Sequence, residues 1–348
     1  MATGEEVRIF CPGSGNTVVA KSAGGLGAVV PAYCTSSGLV HIDKASVNAP
    51  DISCKRPPRS RAKETGNSCG RNNTEVAIGF PMSSAFVPSF TTCFDDQHKE
   101  ALYARHTIPS AIKTAAKGVS RPPFDPGNFY DAIPVNELYK QTTQLDTLAK
   151  ILNSTALAGK YIKPNSAKKF LARGHLAPKA DFVYAPEQRA TFYYVNVAPQ
   201  WMAFNAGNWN AIEAAVRNLV DRLGRDLEVF TGTYGVSTLP GADGEQHELH
   251  LYVDENGNRA VPVPKVFWKV VYDPATRAGV AVVGVNNPHV SAVPKDYFLC
   301  KNDVCPKLRW LNIDSRKISK GYVYCCEVED FRKTVDYFPE IPVDSLLT

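Results

Sequence analysis

No stretch of the 348-residue chain comes near the roughly 20 consecutive apolar residues that a membrane-spanning helix needs, so a helical membrane anchor is excluded. Neither sign of charge is in large excess. Thirty-nine Lys and Arg against 34 Asp and Glu leave +5, a mild bias toward an anionic partner and no more. There is no internal repeat and no low-complexity tract, and 44% apolar with 21% charged residues excludes wholesale disorder. No Cys-x-x-Cys pair occurs among the nine cysteines, which argues against a cysteine zinc site. The opening residues, MATGEEVRIF, have neither a basic segment nor an apolar core of a leader. If the protein is secreted, its leader has been removed and these first residues are foreign to the mature chain.

The cysteines that are present form two groups: Cys11, Cys34, Cys54, Cys69 and Cys93, then Cys300, Cys305, Cys325 and Cys326. Such grouping points to disulfides in an oxidising compartment. Nine is odd, so one thiol is free or joins two chains. The adjacent Cys325 and Cys326 are expected to enter two separate bridges, because a ring closed between neighbours is strained. The sequons at Asn72 and Asn153 fit the same compartment.

Residues 1–95 read as a small cysteine-rich β domain of short apolar runs broken by Gly and Pro. Between Cys54 and Cys69 it carries KRPPRSRAK, five basic residues in nine, readable as a solvated, disulfide-closed loop or as a phosphate-contacting patch. Residues 96–348 read as one α/β body with a cysteine-rich C-terminal extension. Helical spacing appears in QHKEALYARHTI, in VNELYKQTTQLDTLAKIL, in CEVEDFRKTVDYF and, most regularly, in NWNAIEAAVRNLVDRLG, where Trp209, Ile212, Val216, Leu219 and Leu223 form a stripe that Gly224 ends. LEVFTGTY is a strand, and KVFWKVVYD with GVAVVGVN predicts a buried hairpin. Trp209 and Trp268 read as core, and Trp201 to Phe204 as packing beneath the helix. HELH, with His247 and His250, lacks a third ligand for zinc.

The chemistry concentrates in KKFLARGHLAPKADF and in the FYYVNVAPQWMAFNAGNWNAIEAAVRNL that follows. A neutral His suits deprotonation of a water, a hard divalent cation needs only one or two protein oxygens, and guanidinium groups fork onto phosphate oxygens. A strand ending at Arg173-Gly174-His175, a second strand over Tyr193–Val197 with a turn at Ala198-Pro199-Gln200, and a helix preceded by Asn205 make a β-β-α layout. That layout brings His175 and Asn205 to one phosphate. Glu213 and Arg217 lie one turn apart on the helix, which alone is consistent with a simple ion pair.

Together these elements resemble the DNA/RNA non-specific endonuclease family with its ββα-metal motif. The matches are Arg173-Gly174-His175, Asn196-Val197-Ala198-Pro199-Gln200, Asn205 with Trp209, and Glu213 with Arg217, at 21, 30 and 38 residues from His175 to Asn196, Asn205 and Glu213. The resemblance covers roughly residues 96–300. The cysteine-rich ends are similar to a secreted arthropod branch that includes crustacean duplex-specific nuclease and insect gut double-stranded ribonucleases.

The resemblance implies an α/β (α+β) fold, with a mainly antiparallel sheet flanked by helices. His175 is then the general base, Asn205 the direct ligand of Mg²⁺ (Mn²⁺ being the alternative ion) and Glu213 a group acting on the metal's waters. Arg121 stabilises the phosphorane, Asn196 positions the site, and Arg173, Arg217, Gln200 and Lys179 contact substrate. The implied protein is a secreted, extracellular enzyme of gut lumen or body fluid. It cleaves DNA and RNA, favours double strands, leaves 5′-phosphate and 3′-hydroxyl ends, and has no membrane association or obligate protein partner. One position departs from the pattern: Ala172 stands where the family carries Asp, and Asp181 is the candidate substitute. The competing expectation is a catalytically impaired protein that binds and sequesters nucleic acid.

Overall fold

The computed structural model describes residues 4–20, 24–82 and 85–348. Its chain groups into two units, one of residues up to Arg61 with Ile78–Ser89, the other Ala62–Ala77 with Phe90–Thr348. The division is therefore not a single cut after residue 95: two long strands, Asn73–Met82 and Ala85–Asp95, carry the chain from one unit to the other and back.

The described residues of the N-terminal unit form mainly short strands, with one helical turn at Ala49–Asp51, as its Gly- and Pro-broken runs predict. Glu6–Phe10, Val29–Cys34, Val40–Ile42 and Ala45–Val47 form one antiparallel sheet, and Gly24–Gly27, Val18–Ala20 and Ile52–Cys54 another. Alternation along Val29–Cys34 buries Val30 and Ala32 against Val18, Val40, Ile42 and Val47. A Cys11–Cys54 bridge closes this small core. The KRPPRSRAK stretch is not closed by a bridge of its own, because Cys54 pairs with Cys11 and Cys69 with Cys93. Its second half instead enters the strand Arg61–Cys69.

The larger unit is built on an antiparallel sheet running Val323–Cys326, Ala278–Val285, Pro264–Asp273, Leu227–Val236, Glu100–Ile108 and on to Ala85–Asp95. The KVFWKVVYD/GVAVVGVN hairpin forms in register Val266↔Val285 to Asp273↔Ala278. Every residue of Ala278–Val285 is buried, which is why that strand reads as a continuous apolar run. QHKEALYARHTI, expected as a helix, contributes the strand Glu100–Ile108. It lies between two neighbours and is largely buried, so tertiary pairing overrides its helix-forming residues. The last expected helix shrinks to Val328–Arg332.

The amphipathic stripe forms the helix Asn210–Leu223, which buries Ile212, Val216, Leu219 and Val220 and ends at Gly224 with φ 63°. Trp209 and Trp268 are core, at 1% and 0% exposed. Cys325 and Cys326 enter two bridges, Cys305–Cys325 and Cys300–Cys326. Cys34 alone among the described cysteines keeps a free thiol. Titration of the denatured, unreduced protein with a thiol reagent is accordingly expected to find one thiol per chain, and Cys34→Ser none. Two or more thiols in the wild type would contradict this bridging pattern.

Candidate active site

The strand Leu171–His175 pairs antiparallel with Val197–Trp201, from Leu171↔Trp201 to His175↔Val197. The second strand thus starts where it was expected to end: Tyr194–Asn196 is a helical turn, and Ala198-Pro199-Gln200 is strand, not turn. A helical entry over Asn205–Trp209, broken at Gly207, then leads into Asn210–Leu223. One-turn irregularities of this kind in helices recur at functional sites.

Gly174 carries the geometry of this hairpin. A Cβ there would lie 2.7 Å from both Cβ and Oε1 of Gln200 and 3.0 Å from the Ala198 carbonyl. Gln200 therefore lies across the bare backbone, fully buried, and its Oε1 accepts a hydrogen bond from Asn205 Nδ2. With its amide nitrogen held, Asn205 is left with Oδ1 for another partner. Gln200, expected to touch substrate, instead orients Asn205.

Asn196 is likewise inside. Its Oδ1 accepts from the Ala177 amide at 2.8 Å, and its Nδ2 donates to the carbonyls of Ala177 and Thr191 at 2.9 and 3.0 Å. It fixes the chain just after His175 and does not line the cleft. Two further asparagines that the sequence patterns did not single out do similar work. Asn286 accepts from the Trp201 amide and donates to the carbonyls of Pro199 and Pro264, tying the hairpin to the main sheet. Asn208 donates to the carbonyls of Asp314 and Gly321, anchoring the helical entry. Only the side-chain type hints at either role.

His175, Asn205, Glu213, Arg121, Arg173, Lys179 and Arg217 all line one cleft of about 920 Å³. The His175 imidazole bonds to the Arg173 backbone, while its Nε2 has no partner. Burial, with the Arg121 charge adding to it, pulls its pKa down to about 4, so the ring is neutral and its free nitrogen carries a lone pair at physiological pH. Phe124 and Phe192 flank the ring at 5.2 and 5.1 Å between centroids.

Among the described residues, Glu213 is the only carboxylate lining the cleft. Burial pushes its pKa up to about 7; Lys269 and Arg217 pull the other way, and Asp181 adds to the rise. Against it the cleft offers six cations, Lys113, Lys117, Arg121, Arg173, Lys179 and Arg217. Lys113 and Lys117 were not expected from the sequence. Lys113 is paired with Asp221 at 3.2 Å and Arg217 with Asp181 at 2.8 Å, and the excess of positive charge that remains in this concave site suits a polyanion.

The arginines are not equally free. Arg173 donates to the Tyr194 hydroxyl at 2.8 Å and lies over the rings of Tyr139, Phe124 and Tyr194, a cage that fixes its direction. Lys179 donates to the Val119 carbonyl at 2.5 Å. With Arg189 Nη2 on Ser120 Oγ at 3.0 Å and Gln188 on the Ala116 carbonyl at 3.0 Å, it stitches the segment bearing Arg121 to the site. Ala172 lines the cleft, and no acidic side chain replaces the missing Asp. Asp181 is not that replacement: it is 1% exposed and engaged by His106 and Arg217.

The donor set fits a hard divalent cation. The bond to Gln200 uses the Asn205 nitrogen and not Oδ1, the Glu213 carboxylate faces the same cleft, and among the described residues no cysteine or second imidazole lines it. The close approach at Gly174 makes a test. Gly174→Ala is expected to cost about 1–3 kcal/mol in chemical denaturation, because the Gln200 side chain or the Ala198 backbone must move. A variant as stable as wild type would show that the contact has slack.

Comparison with known proteins bears on this geometry. The model of the DNA/RNA non-specific endonuclease family matches residues 70–331. A salivary endonuclease of Lutzomyia longipalpis is 31% identical over 334 residues, covering 95% of this chain and 73% of that protein. The salivary protein Tsal1 of Glossina morsitans morsitans is 25% identical, covering 88% and 75%. A solved EndoG/EndoGI complex superposes with a TM-score of 0.39 at 20% identity, covering 66% of this chain and 86% of the other. With most of its length inside the family match, and with the cleft, its imidazole and its cations on the matched segment, this chain belongs to the DNA/RNA non-specific endonuclease family and is a metal-dependent nuclease.

Proposed function

We propose that the protein is a secreted, Mg²⁺-dependent endonuclease that hydrolyses phosphodiester bonds of DNA and RNA, favours double strands, and leaves 5′-phosphate and 3′-hydroxyl ends. One observation carries the site assignment: an unpartnered, neutral imidazole nitrogen shares a cleft with a free amide oxygen, one carboxylate and six cations. Four disulfides, sequon asparagines at 72 and 153 on the surface, and relatives named as salivary support secretion.

Asn205 Oδ1 would hold the cation directly and Glu213 through water. Bound there, Mg²⁺ would supply charge stabilisation of the phosphate and leaving oxygen. His175 Nε2 takes the proton of the attacking water, its ring held by the Arg173 backbone. Arg121, on its stitched segment, meets the charge that develops on the phosphate, while Arg217 and Arg173 hold phosphate oxygens.

The basic stretch of the N-terminal module, residues 55–63, adds phosphate contacts in this reading. Lys55, Arg59, Arg61 and Lys63 pair with no carboxylate among the described residues; Arg56 is exposed but donates to the Ser14 carbonyl. A second reading, a protein that binds nucleic acid without cutting it, draws on the lone carboxylate left by Ala172.

Cleavage of supercoiled plasmid and of double-stranded RNA separates the two. His175→Ala is expected to lose about 10²–10⁴ in kcat while still shifting duplex in EDTA. Gel shift by a wild type that never nicks, with Mg²⁺ present, would favour the binder. Metal binding should be proton-linked, since Glu213 is ordinarily protonated below about 7 and a cation favours the charged form. Mn²⁺ affinity, read by electron paramagnetic resonance, should therefore weaken as pH falls from about 8 to about 5; a flat profile would exclude Glu213 from the metal site. Replacing Lys55, Arg56, Arg59, Arg61 and Lys63 by Ala should reduce the salt slope of duplex binding by about 0.9 for each phosphate no longer neutralised. An unchanged slope would remove the N-terminal module from the interface.

A further inference from the structure

Beneath the cleft lies a set of buried charged groups that hydrolysis does not itself require. Asp181, with its side chain 2% exposed, receives Arg217 Nη1 on Oδ1 at 2.8 Å and His106 Nε2 on Oδ2 at 2.9 Å. His106 is itself fully enclosed, stacked on Phe182 at 5.5 Å between centroids, and its Nδ1 has no partner. Lys269, 1% exposed, donates to Thr231 Oγ1 and stands 5.5 Å over the Trp209 ring. Its charge acts on Asp181, Glu213 and Arg217.

We propose that Asp181 and His106 form a buried clamp that positions Arg217 for the substrate phosphate. The inference rests on the nuclease reading above, which gives Arg217 its ligand.

A guanidinium at the end of three methylenes has many rotamers in solvent, and holding one of them costs entropy. Here one nitrogen of Arg217 is spent on a carboxylate that cannot reach solvent, and the rest of the fork remains available to the cleft it lines. A lone buried carboxylate would swing or take up a proton. His106 occupies its second oxygen, and the His106 bond, Lys269 and Arg217 favour its charged form. His106 pairs with Asp181 as a neutral donor, since burial disfavours its cation. The clamp joins three elements: the strand Glu100–Ile108 carries His106, the turn Lys179–Asp181 follows His175, and the helix Asn210–Leu223 carries Glu213 with Arg217. The position of Arg217 thereby follows the position of the His175 segment. Asp181 and His106 are positioning residues; neither lines the cleft.

The test combines a double-mutant cycle with salt-dependent binding. Asp181→Asn, Arg217→Ala and the pair are compared for kcat/KM on duplex RNA and for duplex affinity in EDTA across salt. Asp181→Asn is expected to lose about ten-fold in kcat/KM, mostly in KM, with the salt slope falling by about 0.9, the equivalent of one phosphate. Little further loss should follow in the Arg217→Ala background. Losses that multiply independently, or a salt slope that stays at the wild-type value, would overturn the clamp.

If Asp181→Asn does not fold, as judged by near-ultraviolet circular dichroism, the same comparison is made at His106. His106→Gln, which keeps a donor, should lose less than His106→Leu, and the Leu effect should vanish when Arg217 is already Ala. Equal behaviour of Gln and Leu would overturn it. A wild type that neither cuts nor binds duplex would instead refute the nuclease reading, leaving the two failures distinct.

Discussion

The site depends on one absent side chain. Because Gly174 has no Cβ, the strand Val197–Trp201 can close on Leu171–His175 with Gln200 laid over the backbone, and Gln200 in turn holds the amide of Asn205. His175 and Asn205 are 30 residues apart in sequence, yet their relation is set by this short series of bonds. Asn196, clamped to Ala177, and Asn286, clamped to Pro199 and the Trp201 amide, secure the two ends of the same hairpin. The candidate groups therefore sit at the end of a strand, on a broken helical entry and on a regular helix, held by buried side-chain amides, the kind of arrangement that preorganised chemistry needs.

Electrostatics then decide what the cleft accepts. Six cations face one carboxylate, so a polyanion is drawn in, and the Arg121 charge adds to burial in keeping His175 neutral. Glu213 is held near the point where it takes up a proton, a cost that a bound cation relieves. Ala172 removes a negative group from this balance, and in the proposed reading Asn205 and Glu213 are then the donors on which metal affinity would rest.

Much of this was legible in the sequence because it is local or periodic. The helix stripe, its Gly224 stop and the hairpin of two apolar runs follow from short-range pattern, whereas the set of His175, Asn205 and Glu213 was legible only through the resemblance to the family's motif. The separate bridges of Cys325 and Cys326 follow from ring strain. What escaped is non-local. The strand Glu100–Ile108 has helix-forming residues and becomes a strand only because sheet neighbours lie on both sides. His106 acquires meaning only by meeting Asp181, 75 residues on, and Lys269 reads as an ordinary strand residue until the fold buries it near Glu213. Gln200 and Asn196 belong to the motif, but the motif does not say which members face substrate; burial does. The twofold passage of the chain between units, along two strands, also left no mark in composition.

The central claim is that Asn205 holds the divalent ion on the His175 side of this cleft. It is tested most directly by a crystal structure of the His175→Ala variant with Mn²⁺ and a short duplex, with the ion located by its anomalous signal. The account predicts one ion coordinated directly by Asn205 Oδ1, with Glu213 reaching it through water and a phosphate oxygen in its coordination sphere. An ion found elsewhere, or a duplex bound in the cleft with none beside Asn205, would contradict it.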